Sequence, residues 1–197
     1  MPALLAAFLL AAIVPALASA NSDVLIQAGH EGRPASCARF PGRPCNLGAA
    51  GERAMTPVVA DEAARRLRAA GFSVVRVPAD YTGHYHVRAA IFIHFDGASP
   101  ACTSGASIGY PPKSAGAARA WRRFYAKYFP FGFMPDNFTR SLREYYGFRT
   151  VDPNANTLVL EMGEISCPAQ RAWLAPRQRR LGDLIATFVA RRLGRPL

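Results

Sequence analysis

Apolar residues in this chain fall into short continuous runs separated by segments with helical spacing. Asp23-Val24-Leu25-Ile26-Gln27-Ala28 ends at Gly29 and reads as a buried strand. Phe72 to Val77 and Ala90 to Phe95 are β-branched and apolar, and Thr157 to Glu161 is the last clear run, so each predicts a further strand. Between them, Val59, Ala63, Leu67 and Ala70 recur at helical spacing. Thr56-Pro57 offers a helix start and Gly71 a stop. Ser114 to Phe129 reads as a helix carrying Trp121, Phe124, Tyr125 and Tyr128. Pro130 to Asp136 breaks it, and Phe138 to Tyr146 predicts a short helix. Leu181, Leu184, Ile185, Phe188 and Val189 give a terminal helix an apolar face, with Arg192 on a basic one. Glu31 to Gly51, rich in glycine and proline, and Cys102 to Pro112 read as loops. Strands that alternate with helices and are apolar throughout predict an α/β fold: a largely parallel twisted sheet flanked by helices.

The first twenty residues stand apart. Leu4 to Leu17 is almost wholly apolar, and Ala18-Ser19-Ala20 fits a small-residue cleavage site, although a positive n-region is missing. The run is shorter than the roughly 18–20 residues of a spanning helix, so residues 1–20 read as a signal peptide and 21–197 as one domain. Export predicts a periplasmic or secreted protein in an oxidising compartment. Four cysteines then suggest two disulfides, with three connectivities open. Cys37 and Cys45 share one loop and are natural partners. Cys102 and Cys167 each follow a predicted strand, and parallel neighbours would bring those strand ends together. A zinc site built from cysteines is disfavoured, because no Cys-x-x-Cys pair exists.

Charge adds a little. The 24 Lys and Arg against 13 Asp and Glu give a net charge of +11. No nucleic-acid motif accompanies the excess, so no nucleic-acid partner is expected. An anionic envelope polymer is a candidate partner, weighed against a merely solvated basic surface. A monomer is expected.

Candidate chemistry gathers where a parallel sheet places it, beyond the carboxyl ends of the strands. His30 follows the first strand, His94 ends Ile91-Phe92-Ile93-His94, and Glu161 ends Leu158-Val159-Leu160-Glu161. Ionisable groups on buried strands are costly unless paired, and a metal would pair with them. A catalytic zinc takes three ligands from His, Glu or Asp. His30 and His94 supply two, and Glu52, ahead of a helix start, is placed for the third. Glu161 is left as general base or acid, with Glu164 its local rival. His84 and His86 alternate along an extended segment and could chelate a metal, but surface or substrate contact is the more ordinary role. The aromatics from Trp121 to Phe133 read as packing rather than a sugar platform.

In that order, Ala28-Gly29-His30-Glu31-Gly32, Gly51-Glu52, Ile93-His94 and Val159-Leu160-Glu161-Met162-Gly163-Glu164-Ile165-Ser166-Cys167-Pro168 resemble the zinc-dependent N-acetylmuramoyl-L-alanine amidases, from Val24 to the terminal helix. The resemblance implies a zinc held by His30, Glu52 and His94, Glu161 as the catalytic carboxylate, and peptidoglycan or a muropeptide as substrate. The chain departs from the pattern at Glu31 (usually Gly), Phe95-Asp96 (usually a small residue), Glu164 (usually Phe) and Cys167 (usually Asn). Other readings are a carboxypeptidase or deacylase on a similar fold, the former needing an arginine to clamp a free carboxylate, and a non-catalytic envelope-binding domain.

Overall fold

Strand β1 (Asn21–Ala28) is the first described element, and α1 (Glu52–Ala69), β2 (Val74–Val77) and β3 (His86–Asp96) follow it. The chain continues through β4 (Ser107–Gly109), α2 (Ala115–Tyr125), α3 (Arg140–Arg143), β5 (Thr157–Glu164), α4 (Pro168–Leu174) and α5 (Gln178–Arg192). This computed structural model describes residues 21–39 and 45–197; the expected signal peptide lies outside the described residues. The strands form one sheet in the order β2-β1-β3-β5-β4. All neighbours are parallel except β4, which runs antiparallel to β5. The mostly parallel α/β sandwich expected from the pattern is therefore present.

Alternation along the strands decides which residues face which layer. Val24, Ile26 and Ala28 of β1, Ala89, Ile91, Ile93 and Phe95 of β3, and Leu158, Leu160 and Met162 of β5 join one buried cluster with α1, α2 and α5. Leu25, Ala90, Phe92 and Val159 point the other way, under a layer of Leu142, Val151, Tyr145 and Phe148. The second layer has little regular structure, yet it covers the sheet. Near its carboxyl edge the polar residues Gln27, His94 and Glu161 continue this second face, two residues on from Leu25, Phe92 and Val159. Parallel pairing sets His94 directly beside Glu161.

Several boundaries differ from expectation. Helix α1 begins at Glu52, a turn before Thr56, with Gly51 at φ 96° before its first residue. Pro57 thus sits inside the helix rather than at its start, and Thr56, instead of capping, donates its hydroxyl to the Gly29 carbonyl at 2.6 Å. Strand β5 runs on to Glu164 and β3 to Asp96, so Glu161 and His94 lie within their strands rather than at the ends. β4 and α4 occupy stretches where no element was expected. Helix α2 stops at Tyr125, but Trp121, Tyr125 and Phe129 are buried and stacked, as the packing reading of these aromatics required.

Both edges of the sheet are short, four residues in β2 and three in β4. The outer side of β4 is occupied by the segment at 132–137. Met134 donates its N–H to the Ala106 carbonyl and Asn137 to that of Ile108, each within 2.9 Å. Disulfides join Cys37 to Cys45 and Cys102 to Cys167, the pairing expected. No described helix is long and apolar enough to cross a membrane.

Candidate metal centre and cleft

His30, Glu52 and His94 meet at the carboxyl edge of the sheet, with one donor atom from each lying within 4.8 Å of the others. The sequence separates them by long intervals; three local devices bring them together. His30 takes a left-handed backbone conformation, φ 59°, just past the end of β1. The hydroxyl of Thr56 ties that turn to α1. Glu52, at the first position of α1, turns inward and is buried, where its Oε2 accepts the Ala49 N–H at 2.8 Å and its Oε1 the Phe95 N–H at 3.0 Å. Glycine makes the close approach feasible. A Cβ on Gly48 would stand 2.5 Å from His30 Cδ2 and nearer still to Glu52 Oε2, and one on Gly29 would stand 2.5 Å from His94 Nδ1.

Hydrogen bonds fix which nitrogen of each ring faces inward. His30 Nδ1 lies 2.9 Å from the Asn46 carbonyl, which can only accept, so Nδ1 carries the proton and Nε2 presents a lone pair 3.4 Å from Glu52 Oε1. The orientation of His94 is set from further away. Tyr146 donates its hydroxyl to the Ala79 carbonyl at 2.7 Å and accepts from the Gln27 amide nitrogen. The other atom of that amide, Oε1, accepts the Tyr145 hydroxyl at 2.8 Å. The Tyr145 oxygen is then free to accept from His94 Nε2, 2.9 Å away. His94 Nδ1 is left with its lone pair 3.0 Å from Glu52 Oε1. Three lone-pair atoms thus converge and need a cation between them: a proton on His94 satisfies one pair, a metal ion all three. Two imidazoles and a carboxylate are a donor set suited to zinc, and the partners on the far nitrogens are those that typically orient such ligands.

Electrostatics follow from this packing. Burial holds the His30 imidazole below its ordinary value, against the pull of Glu52. Burial alone would raise Glu52, but the hydrogen bond and charge of His94, the charge of His30 and the Phe95 N–H outweigh it and keep the carboxyl low. Glu161 behaves oppositely. Burial first, then repulsion from Glu52 and Asp96, pushes its carboxyl well above the usual range. Its Oε2 is enclosed and has no hydrogen-bond partner among the described residues. A carboxyl of raised proton affinity with one unpartnered oxygen, beside a cluster of lone pairs, is suited to exchanging a proton.

Glu164, the rival carboxylate, has its acceptor capacity committed elsewhere. It is fully buried and accepts the N–H groups of Cys102 and Ser104, at 2.7 and 2.8 Å, and the Ser166 hydroxyl. These bonds shape the loop after β3, which the Cys102–Cys167 disulfide also ties down. His84 and His86 both pair with Asp152 and are exposed. His86 opens β3, eight residues before His94, so roughly 26 Å of strand separates them from the centre.

The centre sits where two lobes of one cleft meet. The larger lobe, about 630 Å³, contains Glu161 together with neutral residues such as Ala98, Ser99, Thr139 and Leu142. The other, about 480 Å³, is lined by Arg33, Arg140, Tyr146 and Arg149. His30, His94 and Tyr145 belong to both. Sequence reasoning missed Tyr145, Gln27, Asn46 and Arg149. Only the glutamine, polar within an apolar strand, carried a sequence signal.

No protein-family model matches the chain, and no curated protein matches its sequence. Solved structures do. The N-acetylmuramoyl-L-alanine amidase AmiC2 of Nostoc punctiforme matches with a TM-score of 0.62 and 15% identity, over 87% of this chain and 97% of its own. The chain has the fold of the N-acetylmuramoyl-L-alanine amidases. The CwlD amidase from Clostridioides difficile, solved in complex with the GerS lipoprotein, shares that amidase fold with a TM-score of 0.59 and 15% identity, over 88% and 99%. Ami1 of Mycobacterium smegmatis does so at 0.57 and 17%, over 89% and 99%.

Proposed function

We propose that this protein is a zinc-dependent N-acetylmuramoyl-L-alanine amidase, hydrolysing the amide between the lactyl group of N-acetylmuramic acid and the L-alanine of the stem peptide. The convergence of His30 Nε2, Glu52 Oε1 and His94 Nδ1 carries the reading. His30, Glu52 and His94 would hold the ion, and zinc, when bound, supplies Lewis acidity to the scissile carbonyl and to a water. Asn46 and Tyr145 keep the two rings in the ligating tautomer. Glu161 takes the proton from the attacking water and returns it to the leaving nitrogen. Burial and its two carboxylate neighbours give it the proton affinity this shuttle needs. The amidase fold of the solved structures supports the choice of bond.

Residues 1–20 act as a signal peptide and 21–197 as the exported domain, in the periplasm or outside the cell; the two disulfides support this location. An anionic envelope polymer is a further partner. Residues 113–127 hold five Lys and Arg and no acid, and residues 165–197 hold seven arginines and one aspartate, so these two segments account for the whole net charge of +11.

The test uses purified mature protein. About one zinc per chain is expected, and digestion of purified wall fragments should release intact stem peptides beginning with free L-alanine, read by mass analysis. Trimmed stem peptides still attached to sugar would mark a carboxypeptidase instead. A zinc-loaded protein that releases nothing would defeat the enzymatic reading.

A further inference from the structure

The cleft is electrically lopsided. Its larger lobe is lined mainly by neutral side chains around Glu161, whereas three arginines line the smaller one. Two of those three are engaged. Arg140 pairs with Glu144 at 2.8 Å, and Arg33 with Asp80 at 3.0 Å while its guanidinium lies over the Tyr146 ring. Arg149 is exposed and has no side-chain partner among the described residues. Arg33, which lines the same lobe, has its Nε enclosed and unpartnered among the described residues, with 14% of its side chain exposed. A free guanidinium in a lobe that holds a second one and opens from the metal centre suits a planar anion bound in a bidentate fashion.

Building on the amidase reading, we propose that this lobe is a carboxylate subsite. Arg149, assisted by Arg33, selects substrates whose leaving peptide carries a free carboxylate close to the scissile amide. The lobe opens from the metal centre itself, sharing His30, His94 and Tyr145 with the other lobe, so an amide lying across the centre puts its acyl side in one lobe and its amine side in the other. The arginine lobe then receives the peptide. Glu144 and Asp80 do not cancel the site, because their charges are matched by Arg140 and Arg33, and Arg149 stays in excess.

Two probes, each with the side-chain carboxyl of its D-glutamate blocked as a methylamide, differ at one group: N-acetylmuramoyl-L-alanyl-D-glutamate with a free α-carboxylate, and the same molecule with the α-carboxylate replaced by a carboxamide. Their binding to full-length mature Glu161→Gln protein is measured calorimetrically, so that no turnover intervenes. The carboxylate probe should bind roughly five- to tenfold tighter, the range of an exposed ion pair improved by a forked donor. Adding Arg149→Ala should erase most of that ratio. Arg192→Ala, at the end of α5, should leave it in place. Equal binding of the two probes, binding of neither, or a preference that survives Arg149→Ala overturns the subsite. Hydrolysis by the unmutated enzyme separates the two readings. Carboxylate-dependent binding without cleavage would sink the amidase assignment and keep the subsite; cleavage of both probes at equal efficiency would do the reverse.

Discussion

Replacing Gly48 by alanine adds one methyl group at the most crowded point of the centre. The position has φ +71°, and the new Cβ would meet Glu52 Oε2 and, at 2.5 Å, His30 Cδ2. A left-handed backbone costs a non-glycine residue about 1–2 kcal/mol, and an added methyl in a packed site typically about 1–3 kcal/mol. The loop has little room to yield, since the Gly48 N–H is bound to the Asn46 side chain at 3.0 Å and the Ala49 N–H to Glu52 at 2.8 Å. Restoring ordinary contact distances means moving the Glu52 carboxylate by about 1 Å, which loosens the bonds that hold it and spoils the ligand geometry. A total of about 2–5 kcal/mol corresponds to a fall of about 4–20 °C in the melting temperature of metal-free protein of this size. Zinc affinity, measured by competition with a chromophoric chelator, should fall by roughly 10–100-fold. Gly116→Ala, whose Cβ would meet nothing within 4 Å, serves as the control and should melt within a degree or two of the parent. If Gly48→Ala keeps its zinc affinity within threefold and its melting temperature within about 2 °C, the crowding argument for this centre is wrong.

Glu161→Gln should retain zinc while turnover drops roughly 10²–10⁴-fold. It should also raise the melting temperature of metal-free protein at neutral pH. The folded-state carboxyl has a raised proton affinity, so the native state is penalised once pH climbs above the carboxyl's ordinary value, and the advantage of the variant should vanish below about pH 4; an advantage that grows on acidification would contradict this. Tyr145→Phe removes the acceptor for His94 Nε2 and should weaken zinc binding by roughly 10–100-fold, with titration calorimetry showing no change if the tyrosine merely packs. Replacing Cys102 and Cys167 by serine opens a crosslink spanning 65 residues and should cost about 3–4 kcal/mol, read from denaturant unfolding. Unchanged stability would mean that the Glu164-centred bonds alone hold the loop.

What could be read from the sequence was whatever depends on short-range pattern. The apolar runs in β1, β3 and β5 marked a parallel sheet, and the ionisable residues near their carboxyl ends marked its working edge. Glu52 was legible from its place ahead of a helix start, although Thr56-Pro57 imitates that start one turn too late. The helix instead begins a turn earlier, where Glu52 can be buried, and tolerates Pro57 in its interior. β4 has three residues and exists through its pairing with β5, so no periodicity could announce it. Tyr145 and Tyr146 lie in a helical-looking stretch whose actual conformation is set by contacts with Gln27 and Ala79, more than 60 residues away. Arg149 resembles any other surface arginine until the cleft around it is assembled.

The brevity of the two outermost strands has a consequence for how such molecules behave when crowded together. An exposed strand margin invites a neighbouring chain to add its own strand, the first step toward ordered aggregates. On the β2 side only four residues are on offer, one of them Arg76, and the Val74 carbonyl is already taken by Arg68 at 3.0 Å. On the β4 side the segment at 132–137 occupies the margin, so a second molecule finds the Ala106 and Ile108 carbonyls already bonded. The long, apolar strands that build the centre are all interior to the sheet. Copies of this protein packed at high density are thereby kept from templating one another, without any surface set aside for the purpose.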